Sequence, residues 1–458
     1  MHGTELQNFD KRAQAVGPSV KSRARALPWP LIIFMVSLVM PFFFQLGPIL
    51  MTANRLVLSI MIIPCLVMWL NGRAGPIRTA DLALLGMCLW IAISFLVIHG
   101  PRITVEAAGI RFIETMGAYL MARCYIRDAD TFHAMVLMLF RIVALMLPFA
   151  IYETLTSHNI LLELANKVSF SGWNVWKEPR WGLDRVQGIF QHPILFGTFC
   201  GGIVALTYYV LGHGVSAWKR VFWTVVVVGT SVLALSSGPL TAVTAQISLI
   251  TWDRVLSSVK KRWAILTGCV LSMTVTIELV ANRSTPEIFI SYFAFSPWTA
   301  YNRIRIWDWG ALSVTKHPLF GIARNEWERP YWMSGSMDMF WLVSAVRHGL
   351  PAALLLQLAF FSLFLMIAFK RDLGPRAAEY RTGYLVCMLG MYLGGWTVDY
   401  WKIIYVFFLF LLGSGVWLLD ADNSKQEDTT APKSDAVRKR QVLRRTESKP
   451  RYSRGQRS

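Results

Sequence analysis

Apolar runs of membrane-crossing length recur along the chain from Trp29 to Leu419, separated by short polar breaks. A crossing helix needs roughly 20 mostly apolar residues. Twelve stretches approach that length: Trp29 to Leu46, then approximately 55–70, 81–98, 105–122, 132–151, 193–211, 221–236, 240–256, 263–281, 350–369, 383–396 and 402–419. The pattern predicts an all-α polytopic membrane domain over 28–419 with a polar tail at each end, residues 1–27 and 420–458. No small-residue cleavage site follows the first run, which therefore reads as a retained helix. The C-terminal tail lacks apolar periodicity and is expected to be disordered.

Charge orients this array. Lys11, Arg12, Lys21, Arg23 and Arg25 precede the first run, and with twelve spans every second turn lies on the same side as that tail. Those turns carry Arg73 and Arg78, Arg123 and Arg127, Lys219 and Arg220, Arg254 with Lys260 to Arg262, and Lys370, Arg371, Arg376 and Arg381. Cytoplasmic loops retain Lys and Arg, so both termini are expected in the cytoplasm. The short outer turn Ser236-Ser237-Gly238-Pro239 has no positive charge. Two outer segments are long, residues 152–192 and 282 to about 349, and long loops are exported largely regardless of their charge.

Composition narrows the classes of function. Hydrophobic residues make up 54% and charged residues 16% of the 458, too apolar for a soluble protein. The net charge of +19 sits largely in the tails and short turns without a recognition motif, so no nucleic-acid partner is expected. Membrane lipids are the expected partners of the basic tails. The six cysteines lie in or at the ends of apolar runs and form no CxxC pair, and the eight histidines show neither HxxxH nor HExxH spacing. Neither a disulfide framework nor a metal site is expected, and no cofactor motif is present.

The candidate chemistry is concentrated in the two long outer segments. The first ends Arg185-Val-Gln187-Gly188-Ile-Phe-Gln-His192-Pro193 and runs directly into the sixth span. Pro193 suits the first turn of a helix, and a helix N-terminus favours an anion, so Arg185 and Gln187 stand above an anion-friendly position. His192 reads either as helix-start punctuation or as a site residue. In the second segment, Tyr301-Asn302-Arg303-Ile-Arg305-Ile-Trp307 precedes Lys316-His317-Pro318-Leu-Phe-Gly321. If 302–315 is helical, Arg303 and Trp307 share a face and Arg305 points away. A guanidinium fork is a natural donor set for phosphate oxygens, and pairing with Asp308 is the alternative for Arg303. Asp338 heads the run Trp341 to Pro351, which contains His348. It reads either as a base whose pKa burial raises or as a helix N-cap. Within the fourth span, Arg111 and Glu114 are spaced to form a compensated pair.

These stretches resemble the O-antigen ligase and polymerase superfamily. The resemblance is carried by Arg-x-x-Gly-x-Phe-x-His-Pro at Arg185 to Pro193, by Arg-x-x-x-Trp followed by His-Pro-Leu-x-Gly at Arg303 to Gly321, and by a polar residue entering a segment that ends Gly349-Leu350. It covers Arg185 to Leu350. Ligases of that family commonly carry a His-Asn pair where Asp338-Met339 stands here, and Ser-x-Asp-x-x-Trp-Leu with Arg-x-Gly is similar to the exopolysaccharide-polymerase branch.

The resemblance implies a multi-pass protein of the bacterial inner membrane. It implies transfer, on the periplasmic side and without a metal, of a glycan carried on undecaprenyl pyrophosphate. Other polysaccharide export components are possible partners. Arg185 and Arg303 would hold the pyrophosphate, with Arg305 nearby; Gln187, His192, His317 and Trp307 would complete the binding site; Asp338 would activate the acceptor, with His348 in reserve. Ligation to lipid A core and transport of the lipid-linked unit are the competing readings.

Overall fold

Proline and glycine decide where the apolar runs become helices and where they break. The computed structural model describes residues 26–47, 49–168, 175, 177–282, 287–288 and 297–421. Both tails, apart from their innermost residues, lie outside the described residues. The first apolar run, expected to be a single span to Leu46, is helical only over Trp29–Leu38 (α1). Pro41 follows, and a proline lacks an N–H and turns the residue before it away from helical geometry. The chain continues as an antiparallel hairpin, β1 (Phe43–Leu46) against β2 (Ile49–Thr52), with Phe43 opposite Thr52. A helix of 10 residues is about 15 Å long, half of a ~30 Å hydrocarbon core.

The helices that follow are α2 (Ala53–Leu70), α3 (Thr79–His99) and α4 (Pro101–Phe112), the last continuing through a π-turn, Ile113–Gly117, into α5 (Ala118–Tyr125). Then come α6 (Ala129–Thr156), α7 (Ile160–Val168), α8 (Pro193–Gly201) and α9 (Val204–Leu206), which ends in a second π-turn, Thr207–Leu211. The remainder are α10 (Ala217–Val232), α11 (Ser237–Val255), α12 (Arg262–Val280), α13 (Pro297–Lys316), α14 (Phe340–Ala368), α15 (Pro375–Gly394), α16 (Ile403–Ser414) and α17 (Trp417–Asp420).

Seven of these, among the described residues, are long and apolar enough to cross a membrane: α2, α3, α6, the broken stretch Pro193–Leu211, α12, α14, and α16 with α17. The chain is an all-α membrane protein. Of the other five predicted spans, the first is helical only over α1, and the remaining four are helical but shorter or more polar. The stretch α4–α5, for instance, carries Arg102, Glu106, Arg111, Glu114 and Arg123. Helix α16 is buried at every residue from Ile404 to Ser414, whereas α12 buries none. An apolar helix exposed on all sides has lipid as its natural solvent.

Helix α15 shows how the ends of the bundle are divided. Near its start, Arg376 pairs with Asp130, Glu379 with Arg220 and Arg254, and Arg381 donates to the carbonyl of Lys370. Past its end, the N–H of Phe340 donates to the carbonyls of Gly395 and Val398. The 20 residues of α15 rise about 30 Å, so basic turns collect at one end of the bundle and the start of α14 lies at the other.

Helix α14 is kinked where Gly349 adopts φ +83°, and a Cβ there would lie 1.9 Å from the Leu319 carbonyl oxygen. Leu319 belongs to the segment His317-Pro318-Leu-Phe-Gly321, which docks by its backbone. The Leu350 N–H donates to Pro318 O (2.8 Å), Ile322 N–H to Val346 O (3.0 Å) and Ala323 N–H to Arg347 O (2.8 Å). This latch fixes α13 against the start of α14.

Candidate active site

The last stretch of the first outer segment is pinned at several points. The Glu153 carboxylate, at the end of α6, accepts from the backbone N–H groups of Gln187 (2.8 Å) and Gly188 (3.0 Å). Asn159 Nδ2 donates to Gly188 O (2.5 Å), and Val186 N–H donates to Leu233 O (3.1 Å). Gln187 is consequently buried, with its side-chain oxygen accepting from Val175 N–H (3.0 Å), and it does not reach open space. Arg185, two residues earlier, does. Its Nη2 donates to Ser236 Oγ (2.6 Å), at the turn that starts α11.

Arg303, on α13, arrives at the adjacent residue of the same turn. Its Nη2 donates to Ser237 Oγ (3.1 Å), while Nη1 is buried and, among the described residues, has no hydrogen-bond partner. The two arginines, 118 positions apart in the chain, thus rest on consecutive serines and line one cavity of about 430 Å³. Lys177 and Arg180 add two more cations to its wall. Arg180 Nη1 donates to Leu235 O (2.7 Å). Burial, reinforced by Arg180, pulls the Arg185 guanidinium down to about 10, and burial likewise pulls Arg303 down to about 10 despite the favourable charge of Asp338. Both stay protonated at neutral pH, so the cavity is strongly cationic.

Asp338 is the carboxylate of this cavity. It is not a helix cap: Met339 holds the N-cap position of α14, without a side-chain bond. The Asp338 carboxylate instead accepts from Ser336 Oγ (2.8 Å). His192 caps a helix and also lines the cavity. As N-cap of α8 its Nδ1 accepts from Ile194 N–H (3.1 Å), and its ring lines the cavity 5.9 Å from that of Trp401. Burial and the neighbouring Lys177 and Arg185 push its pKa down to about 4, so the imidazole is neutral at physiological pH. With Nδ1 accepting, Nε2 carries the hydrogen.

The other candidates lie elsewhere. Arg305 is held between the rings of Tyr301 (4.0 Å) and Trp332 (4.4 Å), on the far side of α13 from the serines. Trp307 packs against Trp396, with ring centroids 6.0 Å apart. His317 is exposed at the end of α13, where its segment serves the latch. His348 lines a second cavity, next to the first, and Trp401 borders both. Glu114 bonds Arg55 Nε (2.7 Å) rather than forming the expected pair with Arg111, because the π-turn at Ile113–Gly117 shifts the side chains off simple i,i+3 alignment.

Sequence reasoning missed Lys177, Arg180, Ser236, Ser237 and Trp401. The available signal was the polar Ser236-Ser237-Gly238-Pro239 turn between two apolar runs, which offers two adjacent hydroxyls. No protein-family model and no curated protein matches the chain.

Proposed function

We propose that the protein is a polysaccharide polymerase, joining undecaprenyl-pyrophosphate-linked oligosaccharide units at the periplasmic face of a bacterial inner membrane. One observation carries the reading: Arg185 and Arg303, from separate segments, converge with Asp338 on one cationic cavity. A diphosphate has oxygens enough for both guanidinium forks, and the free Nη1 of Arg303 is a ready donor.

In this mechanism an acceptor hydroxyl oxygen attacks the anomeric carbon of the donor sugar. The new carbon–oxygen bond forms as the bond from that carbon to the phosphate oxygen breaks. Undecaprenyl pyrophosphate leaves with the electron pair, and the hydroxyl proton passes to the Asp338 carboxylate. Charge grows on the departing phosphate, where Arg185 and Arg303 stabilise it. The neutral His192 keeps a hydrogen-bond donor at the cavity wall without adding charge.

The test uses the full-length protein in lipid nanodiscs with lipid-linked oligosaccharide as sole substrate. The expected result is longer lipid-linked chains with release of undecaprenyl pyrophosphate. A glycosidic product only when lipid A core is supplied would replace polymerisation by ligation. Movement of the intact donor across the bilayer with no glycosidic product would replace the enzyme by a transporter.

A further inference from the structure

The second cavity, about 260 Å³, is lined by Arg55, Arg111, Glu114, Arg347, His348 and Asp399 among others. Its charges do not balance within the chain. Arg55 is satisfied by Glu114 (2.7 Å) and by the carbonyl of Leu50 (2.7 Å). Arg347 donates from Nη1 only to carbonyls, those of Ala323 (3.1 Å) and Asn325 (2.8 Å). The Arg111 guanidinium lies over the Tyr405 ring at 4.5 Å and, among the described residues, forms no ion pair. Glu114, already bonded to Arg55, and Asp399 face Arg111, while Glu326 and Asp399 face Arg347. Burial, with Asp338 nearby, pushes the Asp399 pKa up to about 7, which further weakens that compensation.

A third group adds to this. His348 is 7% exposed and, among the described residues, its Nδ1 has no hydrogen-bond partner. A buried polar atom left unbonded is costly, and such atoms in native proteins have an explanation in a ligand, an ion or water. Two guanidinium groups without an ion-pair partner of their own, an imidazole with an unbonded nitrogen and an indole edge from Trp401 make a receptor for an oxyanion attached to a ring. The volume lies below the roughly 300–1,000 Å³ of drug-sized sites, which limits the occupant to about one sugar residue.

We propose that this second cavity is an acceptor subsite that takes a sugar bearing a carboxylate or a phosphate, held through Arg111 and Arg347 with His348 on a ring hydroxyl. The word acceptor rests on the glycan-transfer reading; the oxyanion site does not. Because Trp401 borders both cavities, a sugar held here lies next to the cavity where Asp338 receives the proton.

The experiment reads protection of a thiol in the full-length protein. Ser344 lines the second cavity, and Ser344→Cys is nearly isosteric. In a background with the exposed Cys269 replaced, its modification rate is measured with glucuronate, glucose 1-phosphate or glucose present. The expected result is slower modification with at least one of the two anionic sugars and no protection by glucose. Glucuronate alone protecting identifies a carboxylate sugar, glucose 1-phosphate alone a phosphorylated one.

Arg111→Gln should raise the half-protecting concentration about tenfold or more, and Arg111→Lys, which keeps the charge, should recover part of it. Equal protection by glucose, or protection unchanged in a folded Arg111→Gln variant, overturns the proposal. Anion protection without glycosidic product in nanodiscs would retain the oxyanion site and remove the polymerase; polymer formation without protection would do the reverse.

Discussion

Arg303 and Arg305 are two positions apart on one helix and have different surroundings, since successive odd positions of a helix diverge by about 200°. Arg303 faces Ser237 and the cavity; Arg305 is sandwiched by Tyr301 and Trp332. Arg185→Ala and Arg303→Ala should each reduce polymer formation by about a hundredfold or more, as loss of a transition-state donor does, whereas Arg305→Ala should cost much less. Electrophoresis of the product, with membrane insertion checked by immunoblot, measures this; equal activity of all three variants would remove the diphosphate clamp. Asp399 gives a pH prediction.

The Asp399 carboxyl keeps its proton to about pH 7 in the folded chain, against an ordinary 3.8. The folded state therefore binds the extra proton between those values, and its stability contribution is greatest in acid and declines as pH rises through the window. Arg111, Arg347, Lys402, Asp338, His348 and Tyr400 are the groups around it. Because the neutral His192 contributes in the opposite sense in both proteins, the test is the difference: the melting temperature in detergent relative to that of Asp399→Asn should decline as pH rises from about 4 to about 7. At this scale the sequence singled out Arg185, Arg303 and Asp338 because each stands in a long segment between apolar runs, and the structure brings all three to one cavity. It did not reveal Lys177, Arg180 or Trp401, whose meaning comes from neighbours far away in the chain.

Helices were legible where an apolar run was long, as in α3, which is free of proline, and α6, which continues through Pro148. Local chemistry set the exceptions. Pro41 cut the first run to α1, and the π-turn at Ile113–Gly117 moved Glu114 to Arg55. The His-Pro-Leu-Phe-Gly segment was read as a place for a ligand because its residue types fit one. Its backbone is instead committed to the kink of α14, and nothing in the residue types distinguishes a latch from a site. Gly349→Ala tests this. With φ at +83° and a Cβ position 1.9 Å from a carbonyl oxygen, the variant should lose more than about 2 kcal/mol of stability. A lowered melting temperature checks it, and an unchanged one would mean that α13 is held by side chains alone.

Across the whole molecule, basic turns lie at the start of α15 and the two cavities lie beyond its end. Thiol labelling with an impermeant reagent can assign these ends to the two faces of the membrane. Tyr331→Cys, at a position 96% exposed, should react in intact spheroplasts, while Arg371→Cys should react only after permeabilisation; the opposite pattern would invert the topology.

The backbone latch also sorts the cavity wall into two mechanical bodies. Three N–H to carbonyl bonds tie α13 to α14, so Arg303 and Asp338 travel together, whereas the hydrogen bond from Arg303 to Ser237 joins them to the side that carries Arg185. That side-chain bond crosses the seam between the two bodies, so opening along it would separate the two arginines and leave Asp338 with Arg303.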